Sequence, residues 1–68
     1  MYKCIYDLLK ERKEIYISFK YAELIDTQKV TINNLDFIND EIIMFRTEDN
    51  TVIGYPLASV LKITLIEK

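Results

Sequence analysis

Sixty-eight residues with a formal net charge of −2 are expected to form a single small domain, residues 1–68. A chain this short buries only about 60% of its unfolded surface and has no room for both a sizeable core and a deep catalytic cleft. Half the residues are apolar and 29% are charged, which is globular composition and excludes a disordered tail. Histidine is absent and cysteine occurs once, which excludes histidine-based catalysis, a structural zinc site and an internal disulfide.

The first segment, Tyr2 to Lys13, reads two ways. Tyr2, Ile5, Leu8 and Leu9 fall at helical spacings and make one apolar stripe. Tyr2, Cys4, Tyr6 and Leu8 also alternate as in a strand, with Lys10-Glu11-Arg12-Lys13-Glu14 then serving as a hairpin loop. That charged run holds good helix formers and no Gly, Asn or Pro, so the helix is the expectation. Arg12 and Lys13 would then lie in its last turn, where cations complement the dipole. Cys4 is expected to be a partly buried small apolar residue in a reducing cytosol.

From Glu14 the period changes to two. Ile15, Ile17, Phe19 and Tyr21 alternate with Tyr16, Ser18 and Lys20, predicting a half-buried strand. Asp26-Thr27 reads as the following turn. Val30 and Ile32 begin a second strand that continues through Leu35 and Phe37, with a bulge or bend at Asn33-Asn34. After a turn at Asn39-Asp40, the continuous run Ile42-Ile43-Met44-Phe45 predicts a central strand covered on both faces. Glu48-Asp49-Asn50-Thr51 is the clearest hairpin turn, because Asp and Asn tolerate positive φ. Thr51 to Tyr55 forms the next strand, which Pro56 ends by removing a ladder donor. Leu57-Ala58-Ser59 forms one tight helical turn. Leu61, Ile63 and Leu65 then alternate in a last strand.

The expected fold is therefore mainly β: an N-terminal helix followed by five short strands in one strongly bent sheet or small barrel. No apolar run approaches the ~18–20 residues of a membrane span and no signal-peptide core precedes the first segment, so a cytoplasmic protein without membrane association is expected. The only glycine, Gly54, is too few for a phosphate-cradling loop. The carboxylate pairs Asp40-Glu41 and Glu48-Asp49 occupy turn positions. No catalytic residue, cofactor or metal ligand is expected.

Five short bent strands with a one-turn helix before the last resemble the plan of the SH3-like and Sm-like small barrels, and the leading helix favours the Sm-like group. Leu8-Leu9-Lys10-Glu11-Arg12-Lys13-Glu14-Ile15-Tyr16-Ile17-Ser18-Phe19 resembles the helix end and first strand of the bacterial Hfq RNA chaperones, and Val52 to Ile63 has the shape of the second Sm motif. The resemblance implies an oligomeric ring that binds single-stranded RNA, with Lys10, Arg12 and Lys13 on its basic rim. The chain departs from that family at several points. The Asn-Gly turn after the first strand is absent, so the loop from Lys20 to Asp26 is expected to be several residues longer, and the second-strand glycine is missing. Pro56 and Leu57 follow Tyr55 where the family has Tyr-Lys-His, so no uridine-contacting residue carries over. Gly54-Tyr55-Pro56 also resembles the last-strand region of SH3 domains, whose peptide-binding tryptophan this chain lacks.

Two functions remain as expectations. The first is a small non-enzymatic regulatory or adaptor protein that docks on a larger protein or on copies of itself. Tyr6, Tyr16 and Tyr55 would be its protein-binding residues, because a ring with a polar tip suits an interface. The alternative is Hfq-like binding of single-stranded RNA through Lys10, Arg12 and Lys13, with aromatic rings available to stack bases. A pI near 5.0 gives a phosphate backbone little net attraction. Eleven acidic against nine basic residues are too few for a mimic of DNA. Abundant isoleucine and an excess of lysine over arginine suit a low-GC bacterium or its phages and plasmids.

Overall fold

The computed structural model describes residues 1–66. Helix α1 (Tyr2–Lys10) leads into strands β1 (Glu14–Tyr21), β2 (Leu24–Val30), β3 (Leu35–Ile38), β4 (Ile42–Arg46) and β5 (Val52–Pro56). A single 3-10 turn (Leu57–Ser59) precedes β6 (Val60–Ile66). The strands form two three-stranded antiparallel sheets, ordered β2-β1-β6 and β3-β4-β5. The chain is thus mainly β with one N-terminal helix, as expected. In place of five strands in one bent sheet, the described residues form six in two sheets that do not close. Among the described residues no helix is long and apolar enough to cross a membrane.

The helical reading of the first segment holds, and the helix stops at Lys10, three residues before the expected end. Arg12 adopts φ 63°. Its N–H donates to the Leu9 carbonyl at 3.0 Å, and the Lys13 N–H donates to that of Leu8 at 3.1 Å. These are the two reverse bonds of a Schellman ending, which satisfies carbonyls that would otherwise be orphaned. Arginine occupies the position where glycine is usual. Ile5 and Leu9 are fully buried, and Tyr2 and Leu8 pack beside them. Cys4, contrary to expectation, is exposed, because it lies off that stripe.

β1 follows its alternation. Ile15, Ile17 and Phe19 are fully buried, whereas Tyr16 stands 43% exposed on the other face. The turn expected at Asp26-Thr27 lies instead at Ala22-Glu23, since Tyr21 pairs with Leu24 and the register runs unbroken to Ile15 opposite Val30. The first loop therefore has two residues and is not lengthened. Ala22 at φ 55° supplies the positive dihedral that such a tight connection requires. Ser18, the one buried polar residue among those described, is joined through its hydroxyl to Thr27 at 2.9 Å.

The expected second strand is broken at Thr31–Asn34. The Asn34 Oδ1 accepts the Thr31 N–H at 2.6 Å, and the Thr31 carbonyl accepts the N–H groups of Asn34 at 3.2 Å and Leu35 at 3.1 Å. These local bonds give the backbone an alternative to the ladder and turn the chain from one sheet to the other. The Asn34 Nδ2 then donates to the carbonyls of Lys29 at 3.0 Å and Arg46 at 2.9 Å, tying β2 to β4.

β4 is the central strand of the second sheet. Ile43 and Phe45 are fully buried, whereas Ile42 and Met44 are half-buried, so its outer face is only partly covered. Its hairpin to β5 closes as expected, with Asn50 at φ 66° and the Thr47 N–H donating to the Thr51 carbonyl at 2.9 Å. A register shift opposite Ser18/Phe19 breaks the alternation expected in β6. Val60, Ile63 and Ile66 are its half-buried positions, while Leu61 and Leu65 are exposed. The core is continuous across both sheets. Phe45 stacks on Phe19 with ring centroids 5.9 Å apart, and Tyr55 stacks on Phe19 at 4.1 Å and 8°.

Candidate functional site

Three features meet where β2 ends: the outer face of β1 and β2, the turn Thr31–Asn34, and the loop Thr47–Asp49. They enclose an open groove of about 820 Å3. Tyr16 stands in it opposite Lys29 in the β1–β2 register. The Asn34 bonds that break the long strand also hold the turn against β4, so the sheet junction fixes the shape of the groove.

The groove is charged, and much of that charge is already paired. The Lys29 Nζ lies 2.9 Å from the Glu14 Oε1. Donating to Glu14 raises the Lys29 pKa above its ordinary value, with the charge of Glu14 and then Tyr16 and Glu48 reinforcing the shift. The Arg46 Nε lies 3.5 Å from the Asp36 Oδ1, and its Nη1 donates to the Asn50 Oδ1 at 3.3 Å. The Thr47 hydroxyl donates to Asp49. That bond, followed by one to Thr51, holds the Asp49 carboxyl below its ordinary pKa. Asp49 thus remains an anion beside Glu48 on the rim.

A smaller recess of about 220 Å3 adjoins the groove and shares Glu14, Thr31 and Asn33 with it. Arg12 and Lys13 line this recess. The Schellman ending sets their position, because it turns the chain from α1 into β1 at that corner. Of the three expected RNA-binding cations, only these two come together. Lys10 lies on the helix with its Nζ 5.5 Å from the centre of the Tyr6 ring, a cation–π distance.

The three expected protein-binding tyrosines are spread over different parts of the fold. Tyr16 is in the groove, and Tyr6 is 40% exposed on α1. Tyr55 is built into the inter-sheet stack, with its hydroxyl donating to the Asp26 Oδ2 at 2.5 Å. That bond, then burial, push its pKa up to about 12. Asp26 also accepts from the Gln28 Nε2 at 2.9 and 3.1 Å.

Sequence reasoning missed the contribution of Asn33, Asn34 and Gln28 to the site, and it placed Glu48 and Asp49 only in a turn. It also missed the tip of the β1–β2 hairpin, where Tyr21, Leu24 and Ile25 are each more than 60% exposed. The signal available was the pair Leu24-Ile25, which cannot both face one core from a single strand. Compared with family models, curated proteins and solved structures, the chain matches none.

Proposed function

We propose that the chain is a small non-enzymatic regulator or adaptor that acts by docking on another protein. The observation that carries this reading is the groove itself. An exposed tyrosine ring stands among side chains whose two cations, Lys29 and Arg46, are already held by Glu14 and Asp36. A ring with a polar tip is a common interface anchor, whereas a groove with compensated cations gives a phosphate backbone little attraction. The exposed apolar tip at Tyr21, Leu24 and Ile25 adds surface suited to a partner.

The second reading is single-stranded RNA binding by an Sm-like ring. Two observations favour it: the side-by-side placement of Arg12 and Lys13, and the form of β2 and β3. Counted as one bent strand interrupted at Thr31–Asn34, these bring the strands to five, the number the resemblance implies.

Capture of the partner from host cells separates the readings. Tyr16→Ala should weaken recovery by about 2 kcal/mol or more if that ring is an anchor. Lys10, Arg12 and Lys13 changed together to Ala should weaken recovery less than Tyr16→Ala does. Oligo(U) binding measured across a salt series tests the alternative. Each phosphate that one of these cations neutralises contributes about 0.7 to the slope, and the triple variant should flatten it accordingly. Tight oligo(U) binding by a hexamer or heptamer, with partner recovery indifferent to Tyr16→Ala, reverses the order of the readings.

A further inference from the structure

The recess and the groove share Glu14, Thr31 and Asn33 and therefore form one continuous trough. Its charged groups that form no ion pair among the described residues are segregated. Arg12 and Lys13 line only the recess, and Glu48 and Asp49 line only the groove. Among the described residues neither Arg12 nor Lys13 has a carboxylate within ion-pair distance. In the groove, Lys29 and Arg46 already face Glu14 and Asp36. One end of the trough is thus cationic and the other anionic, with the Tyr16 ring on the groove side.

Both ends are held before any partner arrives. The cationic end sits on the Schellman corner, where the Arg12 and Lys13 N–H groups are bonded to Leu9 and Leu8. The anionic end sits on a hairpin loop closed by Thr47–Thr51 and Asn50–Thr47 backbone bonds. The backbone that carries these side chains is therefore ordered before binding, and only side-chain freedom remains to be lost.

We propose that this trough binds an extended peptide segment of a partner protein whose own charges are segregated, with acidic residues at one end, basic residues at the other, and a neutral stretch that passes Tyr16. This rests on the protein-docking reading above and names the kind of segment that reading requires. Charge complementarity selects the peptide over RNA, because a uniformly anionic strand meets Glu48 and Asp49 as it leaves Arg12 and Lys13.

The test uses the full chain and four labelled probes. The first is a capped ten-residue peptide with two Asp at one end, two Lys at the other, and six neutral residues between. The second has the same composition with its charged residues alternating, the third carries Lys only, and the fourth is oligo(U). The segregated peptide should bind about tenfold more tightly than the alternating one and should move the backbone amide resonances of Tyr16, Asn33 and Glu48. Arg12→Asn with Lys13→Gln should abolish that preference, and so should Glu48→Gln with Asp49→Asn. Asn is chosen at position 12 because it tolerates the positive φ there, and Asn at 49 can still accept from Thr47, so both variants should fold.

Equal affinity for the segregated and alternating peptides overturns the proposal. So does tighter binding of the Lys-only peptide, or of oligo(U) in a manner that depends on Arg12 and Lys13. If the segregated peptide shows no preference while Tyr16→Ala still loses the cellular partner, this proposal fails and the docking reading stands. If Tyr16→Ala also keeps the partner, both fail.

Discussion

In the first sheet the two faces differ in kind. Ile15, Ile17 and Phe19 lie on the inner face at no exposure, whereas Tyr16, Thr27 and Lys29 lie outside in the groove region. In the second sheet the outer face is largely apolar as well, Arg46 apart. Ile43 and Phe45 are fully buried, while Phe37 at 49% and Val52 at 40% are exposed, with Ile42 and Met44 half-buried between their strands. Gly54 lies opposite Met44, and a Cβ there would come within 3.2 Å of the Met44 Cγ. The first sheet uses its outer face for polar side chains that build a site. The second carries most of its sequence as packing and leaves an apolar surface uncovered. What unites them is the aromatic stack and Asn34.

The largest test of that union is removal of a stacked ring. Phe45→Ala should cost about 3–5 kcal/mol, the usual penalty for a buried phenylalanine. Phe19→Ala should cost the larger share of that range, because Phe19 stacks on both Phe45 and Tyr55. Natural domains have about 5–15 kcal/mol to lose and small ones the least, so either variant is expected near the limit of folding. Thermal unfolding followed by circular dichroism measures both. A Phe45→Ala protein melting within a few degrees of the parent would show that the second sheet does not share the core of the first.

Next in size is Asn34→Ala, which removes the bonds to Thr31, Lys29 and Arg46. The expected loss is about 2 kcal/mol, at roughly 1 kcal/mol or less for each partly solvated bond. Urea unfolding gives the value, and amide exchange gives its location. Faster exchange confined to the turn, with the facing ends of β2 and β4 still protected, would mean that Asn34 shapes the turn without joining the sheets.

Tyr55→Phe keeps the stack on Phe19 and deletes only the bond to Asp26, at an expected cost of about 1.5 kcal/mol for a hydrogen bond to a charged acceptor. Its pH dependence has a definite sign. The folded pKa, about 12, lies above the ordinary tyrosine value of 10.0. The contribution is therefore complete below pH 10 and lost as pH rises through 12. The stability difference between parent and Tyr55→Phe should be constant across neutral pH and shrink through that alkaline window. A difference that instead disappears at neutral pH would remove the Asp26 bond from the inter-sheet contacts.

Much of the fold was legible because period-two alternation is a direct consequence of one buried face. Ile15, Ile17 and Phe19 announce β1, and Asn50 announces its turn through its tolerance of positive φ. What could not be read was where local side-chain bonds override the period. The Asn34 side chain divides an alternating run by accepting the Thr31 N–H, and a register shift beside Phe19 sets Val60, not Leu61, opposite it. The trough of groove and recess was legible only in part. Tyr16, Arg12 and Lys13 could be singled out by type, but their relation to Glu48 and Asp49 depends on the sheet junction. No spacing along the chain encodes that relation.

The smallest expected effect compares the two hairpins directly. The first sheet turns at Ala22 with φ 55°, the second at Asn50 with φ 66°. A Cβ in this region costs alanine roughly 1–2 kcal/mol, whereas asparagine tolerates it. Glycine removes that strain but adds about 0.5–1 kcal/mol of backbone entropy to the unfolded chain. Ala22→Gly should therefore stabilise the protein, by about 0.5–1 kcal/mol. Asn50→Gly should be close to neutral, since the strain relieved is small and the bond from Arg46 is exposed. Parallel urea titrations at neutral pH resolve a difference of this size. Destabilisation by Ala22→Gly would mean that the alanine methyl packs at the hairpin tip, and equal gains at both sites would mean that Asn50 is as strained as Ala22. The expected inequality would show instead that the first hairpin forms against its own turn residue, drawn closed by Ile15, Ile17 and Phe19 packing beneath it.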